Sequence, residues 1–359
     1  MTAIVLSALL SLMSSPADTR AEAAAAARDW IAASQSDAGW IPSYGDPEPR
    51  QAWIWDQALA LLALTPEGST EAEALVAALV GVQRADGSLP ACLDPDTGEV
   101  VVDEPHLGAV GLAAFALARY ADAAEDSQAA GAARAAAEWL VERQRQDGSV
   151  SDSTLANIGA WWGMAANEFG PEARRLSFYL VGKPYERSEY WFMPKPGDRT
   201  VVCDVNTMGS LLLTANRQYG MGAAALIYVR TYLFIRGAHG QPGLGITGPV
   251  AIWYEGTAQY VAAEGLDSGQ FLRTLLSAQN PDGSMPHSDR NAVKGLSWHT
   301  TAPSLAATAW LTFAIEGHPF ELTNDERAGL RRPGRSIARR GGQEHPRVEQ
   351  AQGEHDPWE

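Results

Sequence analysis

The sequence predicts an all-α toroid, about six helical hairpins wrapped around a central cavity that opens at one mouth. Three observations carry this reading. Alanine runs such as Ala23 to Ala27 and Ala135 to Ala137 favour helix, because alanine loses no side-chain entropy there. A turn pattern recurs four times, and helix-like starts recur at intervals of about 50 residues, the size of one hairpin with its loops.

The turn pattern reads Gln35-Ser-Asp-Ala-Gly39, Gln83-Arg-Ala-Asp-Gly87, Gln144-Arg-Gln-Asp-Gly148 and Gln279-Asn-Pro-Asp-Gly283. Each closes a helix-like stretch with Gln, places Gly four residues on and continues into a short apolar segment. Glycine can take the left-handed conformation that ends a helix, and Asp can bond the turn's own backbone. Gln218-Tyr-Gly-Met-Gly222 has the spacing without the Asp and is not counted. Inner helices are expected at 51–64, 106–120, 154–167, 204–216, 251–263 and 303–316, with outer helices at 71–83, 129–144 and 270–279. The inner segments are apolar or small almost all round, His106-Leu-Gly-Ala-Val-Gly-Leu-Ala-Ala-Phe-Ala-Leu-Ala being the clearest, and a helix apolar on every side is buried on every side.

The ends of the chain read differently. Residues 1–19 form an apolar segment with no Lys or Arg before Arg20, which suits an opening helix in a cytoplasmic protein, a secretory signal being the alternative. The toroid is expected over 20–322. Residues 323–359 read as a charged, disordered tail in which, from Asp325 on, seven arginines balance seven acids. The body therefore carries the whole net charge of −16. Such a body repels phosphate backbones, which argues against a nucleic acid partner, and it suits an anionic membrane surface poorly. No apolar run reaches the roughly 18 residues of a membrane span. Cys92 and Cys203 give neither a disulfide framework nor metal-ligand spacing, so free buried thiols are expected, with no metal and no cofactor.

The inner-helix starts carry the chemistry. They read Trp53-Ile-Trp55-Asp56-Gln57, Asp103-Glu104-Pro-His106, Asp152-Ser-Thr-Leu-Ala-Asn157, Asp204-Val-Asn206-Thr207, Trp253-Tyr254-Glu255-Gly-Thr257-Ala-Gln259 and Trp298-His299-Thr300. A ring of acids, amides and aromatics at one mouth is what a polar, stackable ligand needs. Capping alone explains Asp152, and Trp161, Trp162 and Trp310 read as core. Asp56 and Glu255 stand between aromatics and long apolar segments, where a carboxyl pKa rises. Candidate catalytic residues are Glu255 as acid, with Asp204 or Asp56 as base. Candidate substrate contacts are Trp53, Trp55, Glu104, His106, Asn157, Asn206, Thr207, Trp253, Tyr254, Gln259, Trp298 and His299.

Trp55-Asp56-Gln57-Ala58-Leu59, Asp204-Val-Asn206-Thr207, Trp253 to Gln259 and Gly317-His-Pro-Phe320 resemble motifs of bacterial six-hairpin glycosidase-like proteins over most of 20–320. The resemblance implies an (α/α)6 barrel and cleavage of a glycan by paired carboxylates on a small-molecule or oligosaccharide substrate. Two departures stand out. Thr207 is followed by Met208 where the related motif has Trp, and Arg217 to Gln241 reads as an extra helix and a Gly-rich loop. Two other classes share the architecture. Terpenoid cyclases and prenyl-substrate enzymes are also α-toroids, but no Asp-x-Asp-Asp or Asp-Asp-x-x-Asp occurs here. A non-catalytic binding barrel is the third reading, since fold does not fix function.

Overall fold

The computed structural model describes residues 16–45, 50–237, 239–265, 267–291 and 300–331. Among the described residues, six inner helices alternate with six outer ones. The inner set is α2 (Ile54–Leu64), α4 (Leu107–Ala124), α6 (Thr154–Ala166), α8 (Cys203–Ala215), α10 (Tyr254–Ala262) and α12 (Leu305–Glu316). The outer set is α1 (Pro16–Ala33), α3 (Thr70–Val82), α5 (Ser127–Glu142), α7 (Gly170–Gly182), α9 (Tyr219–Leu233) and α11 (Ser268–Ala278). Each inner helix packs on the next, and α12 packs on α2, so the ring closes as an (α/α)6 barrel.

The repeat is the joint between hairpins. The Nε2 groups of Gln35, Gln83, Gln144 and Gln279 each donate to the carbonyl of the Gly four residues on, and each also reaches a carbonyl of the following outer helix. Those second acceptors are Glu71, Ala132, Glu172 and, closing the circle, Ala23 at 2.9 Å from Gln279. The glycine is required twice over. At Gly87 φ is +90°, and an added Cβ would stand 2.3 Å from the carbonyl oxygen of Ala135, one turn along the same outer helix. In three copies the motif's Asp caps the turn by accepting from the backbone and hydroxyl of the next Ser.

Small residues set the closeness of the inner ring. A Cβ at Gly159 would meet the Gly108 carbonyl oxygen at 2.4 Å, so α4 and α6 touch backbone to backbone. By length and composition α4 is apolar enough to cross a membrane, but it stands inside the ring with most of its surface buried. One end of the barrel is sealed. Phe320, just beyond α12, stacks on Phe115 and Trp310 at ring-centroid distances of 5.5 and 5.3 Å and meets Trp162 edge-on. Trp161, Trp162 and Trp310 are fully buried core residues, and both cysteines are free and buried.

Short antiparallel strands decorate the other end, where the inner helices begin: β1 (Ala52–Trp53), β2 (Cys92–Leu93) and β3 (Val100–Val102) in one sheet, and the pairs β4–β5 (Tyr185–Glu186, Trp191–Phe192), β6–β7 (Phe234–Arg236, Pro242–Leu244) and β8–β9 (Met285–Pro286, Pro303–Ser304).

Three expectations are revised. Arg217 to Gln241 is no insertion: α9 is the regular outer partner of α8, followed by the β6–β7 hairpin, so the ring needs this helix. Asp152 does not cap α6. Ser153 does, accepting from the Ala156 N–H at 3.3 Å, while Asp152 is exposed and pairs with Arg145 at 2.5 Å. Ordered structure also passes 322. Helix α13 (Asn324–Gly329) opens on a capping box at Thr323, and Arg119 of α4 holds its Glu326 at 2.8 Å. Residues 1–15 and 332–359, which carry most of the expected leading segment and tail, lie outside the described residues.

Candidate active site

Two kinds of polar side chain occupy the first turns of the inner helices. The first kind clamps the loop that leads into its own helix. Gln57 donates from Nε2 to the Ile41 carbonyl and accepts from the Ile41 N–H, at 2.7 and 3.0 Å. Asn157 Oδ1 accepts from Val150 N–H at 2.8 Å, while Nδ2 donates to the carbonyls of Ser151 and Ser153. Asn206 does the same with Phe192 and Val202. The hydroxyls of Thr257 and Thr308 each donate one turn back and accept from the N–H of Leu244 and Met285. All five are buried. Their polar capacity is spent on backbone, which holds the mouth loops in place.

The second kind is the acids. Asp56 on α2, Asp204 on α8 and Glu255 on α10 are each less than a tenth exposed. Among the described residues none has a cationic partner. Burial pushes the Asp56 carboxyl up to about 7 against a stabilising hydrogen bond from Ser43, and leaves its Oδ1 without a hydrogen-bond partner. Burial takes Asp204 to about 6, the backbone N–H of Val205 opposing the rise at 2.7 Å. Glu255 is held well above its ordinary range, first by burial and then by the charges of both Asp56 and Asp204. The two acids whose charges act on Glu255 stand on α2 and α8, each in the first turn of its inner helix.

The surroundings complete the site. Gln259, one turn after Glu255, donates to Oε1 at 3.1 Å, and Thr207 of α8 lies 2.6 Å from Gln259 Oε1. Burial beside Asp204 and Glu255 keeps the Cys203 thiol protonated. Trp53 and Trp55 precede Asp56 in the chain, Trp53 half-buried with its indole N–H on Gln51 at 3.2 Å. Trp253 is fully buried, its ring filling the space where a Cβ on Gly256 would sit. Burial, then the charge of Asp289, raises the Tyr254 phenol to about 12, and Gln241 bonds it, so its hydroxyl faces the β6–β7 side.

Two other candidates have other contacts in the structure. His106 caps α4, its Nδ1 accepting from Ala109 N–H at 3.3 Å. Glu104 is exposed and borders a separate cavity of about 310 Å³ with Arg84, Trp139 and Arg143. Trp298 and His299 lie outside the described residues. Three residues the sequence reading passed over belong to the site: Ser43, Tyr44 and His287. The Tyr44 phenol is raised by its enclosed setting and by Asp56 and Glu255, and its ring meets His287 edge-on at 5.5 Å. His287 is fully buried and also neighbours Trp253 at 6.4 Å. The signal was available, since Ser43 and His287 each stand four residues after a repeat glycine, the position held by Ala91 and Asp152 in the other copies.

Comparison with known proteins gives the fold. No family model matches the chain, and no curated protein matches it by sequence. Among solved structures it is similar to a glycosidase variant in complex with glucose, at a TM-score of 0.64 and 14% identity, covering 88% of this chain and 98% of that one. It is similar to a D-mannose isomerase at 0.59 and 11% identity, covering 84% and 99%. It is also similar to a sugar epimerase from a ruminal bacterium at 0.58 and 12% identity, covering 80% and 95%. The chain shares the helical barrel of these glycosidase-like structures.

Proposed function

We propose that this protein is a carbohydrate-active enzyme that cleaves a glycosidic bond at the mouth of the barrel. One observation carries the reading: three buried carboxylates, none with a cationic partner among the described residues, stand in the first turns of inner helices, where burial raises each of them. A buried acid that stays protonated beside one that ionises near neutrality is the equipment of glycoside cleavage. Glu255 gives its proton to the leaving oxygen as the bond to the anomeric carbon breaks. Asp204 takes a proton from the water that adds to that carbon, and Asp56 is the alternative base. Trp53 and Trp55 offer ring faces to a sugar beside Asp56. The neighbours that bind or convert sugars on this barrel support the substrate class.

His287 favours a second reading, isomerisation or epimerisation of a free sugar, because a buried imidazole at the same mouth is suited to moving a carbon-bound proton. A panel of oligosaccharides and free monosaccharides, with products identified, separates the two. Release of shorter sugars supports cleavage. Interconversion of a monosaccharide with no glycan cleaved replaces it with the second reading, and conversion of neither class ends both.

A further inference from the structure

Glu255 has two oxygens, and its chemistry depends on which one carries the proton. Gln259 follows Glu255 by four residues, so the two side chains share one face of α10. Its amide nitrogen lies 3.1 Å from Glu255 Oε1, and its amide oxygen lies 2.6 Å from the Thr207 hydroxyl on the neighbouring helix. Both Gln259 and Thr207 are fully buried, so water does not compete for these bonds. Thr207 is also within reach of the Cys203 and Asp204 carbonyls, at 3.1 and 3.3 Å, but its single proton goes to the shortest contact.

We propose that Thr207 and Gln259 are positioning residues for Glu255: the Thr207 hydroxyl orients the Gln259 amide, whose N–H occupies Oε1 and so confines the transferable proton to Oε2. An amide N–H on Oε1 makes Oε1 the carbonyl oxygen of the protonated acid. The opposite amide orientation presents Gln259 Oε1 to Glu255, where it accepts the acid's own proton and withholds it from a substrate. The two orientations differ in sign. A donated N–H favours the carboxylate, so removing it raises the pKa of Glu255. An amide oxygen that holds the proton favours the acid, so removing it lowers the pKa.

The test is an infrared titration of the Glu255 carboxyl on purified protein, identified by difference against Glu255→Gln. It needs no substrate, so it stands apart from the glycan reading on which the catalytic consequence rests. Gln259→Leu should raise the titration midpoint by about one pH unit, the scale of one hydrogen bond in a buried site, and move the acid's C=O stretch to higher frequency. Thr207→Val, nearly isosteric, should raise the midpoint in the same direction, and Thr207→Ser should restore it. Should Gln259→Leu fail to fold, the Thr207 pair decides. On any glycan the wild type cleaves, Gln259→Leu should lower kcat about tenfold with KM nearly unchanged, as expected for a misplaced acid. An unchanged or lowered midpoint in the variants overturns the proposal.

Discussion

Asn206 and Asp204 stand two residues apart on α8, both buried, and they illustrate opposite uses of polarity. Asn206 makes three hydrogen bonds, all to backbone, and holds the β4–β5 hairpin against its helix. Asp204 has no cationic partner among the described residues and gains one backbone N–H, from Val205. Gln57 and Asp56 repeat the contrast on α2. A saturated amide stabilises the fold. A buried, unbalanced acid costs stability, and such costs persist where a site needs them. The same helical turn therefore holds both an amide that builds the mouth and an acid left without a counter-charge.

The contrast breaks first at Asn206. Asn206→Ala strands the backbone groups of Phe192 and should cost about 3 kcal/mol, read as a lower urea midpoint. A loss within experimental error would show that water replaces the clamp.

Asp56 should behave in the opposite way. Its folded pKa of about 7 lies above the 3.8 of an ordinary Asp carboxyl. The native state thus holds the proton more tightly. The stability this gives is complete below about pH 4 and is lost as pH rises through about 7. Asp56→Asn should stabilise the protein by roughly 2 kcal/mol at pH 8 and by much less at pH 4. Melting curves at both pH values check this, and equal shifts at the two would mean that Asp56 is not protonated by its setting.

The joints between hairpins should be more forgiving than the clamps. Gln83→Ala removes two partly buried hydrogen bonds, to Gly87 and Ala132, and should cost about 1 kcal/mol. Urea unfolding beside Asn206→Ala ranks the two directly. The smallest effect belongs to Glu104, exposed and bordering a different cavity. Glu104→Gln should leave stability within about 0.5 kcal/mol and turnover unchanged, and a loss of turnover would extend the site to that cavity.

The ring was legible because its joints are covalently local. Gln and Gly four residues apart bond each other, and the glycine must face the next helix, so the pattern survives in plain sequence. The mouth was less legible because its residues meet only after the ring closes. Asn157 and Asn206 look like ligand groups until their loop backbones arrive. Arg217 to Gln241 looked like an insertion because Gln218 begins a helix here rather than ending one. Tyr44 and His287 approach each other across the seam between the first and last hairpins, which no local spacing encodes. Asp56, Asp204 and Glu255 were visible because acids are conspicuous inside apolar segments.

Whether Glu255 supplies a proton to a sugar bond is settled by one comparison. On a glycan that the wild type cleaves, turnover and calorimetric binding are measured for the wild type and Glu255→Gln. With Glu255 as the acid, turnover falls by about 10² or more in the variant, the scale of losing a positioned acid, while binding persists because shape is nearly kept. Unchanged turnover in Glu255→Gln would contradict it.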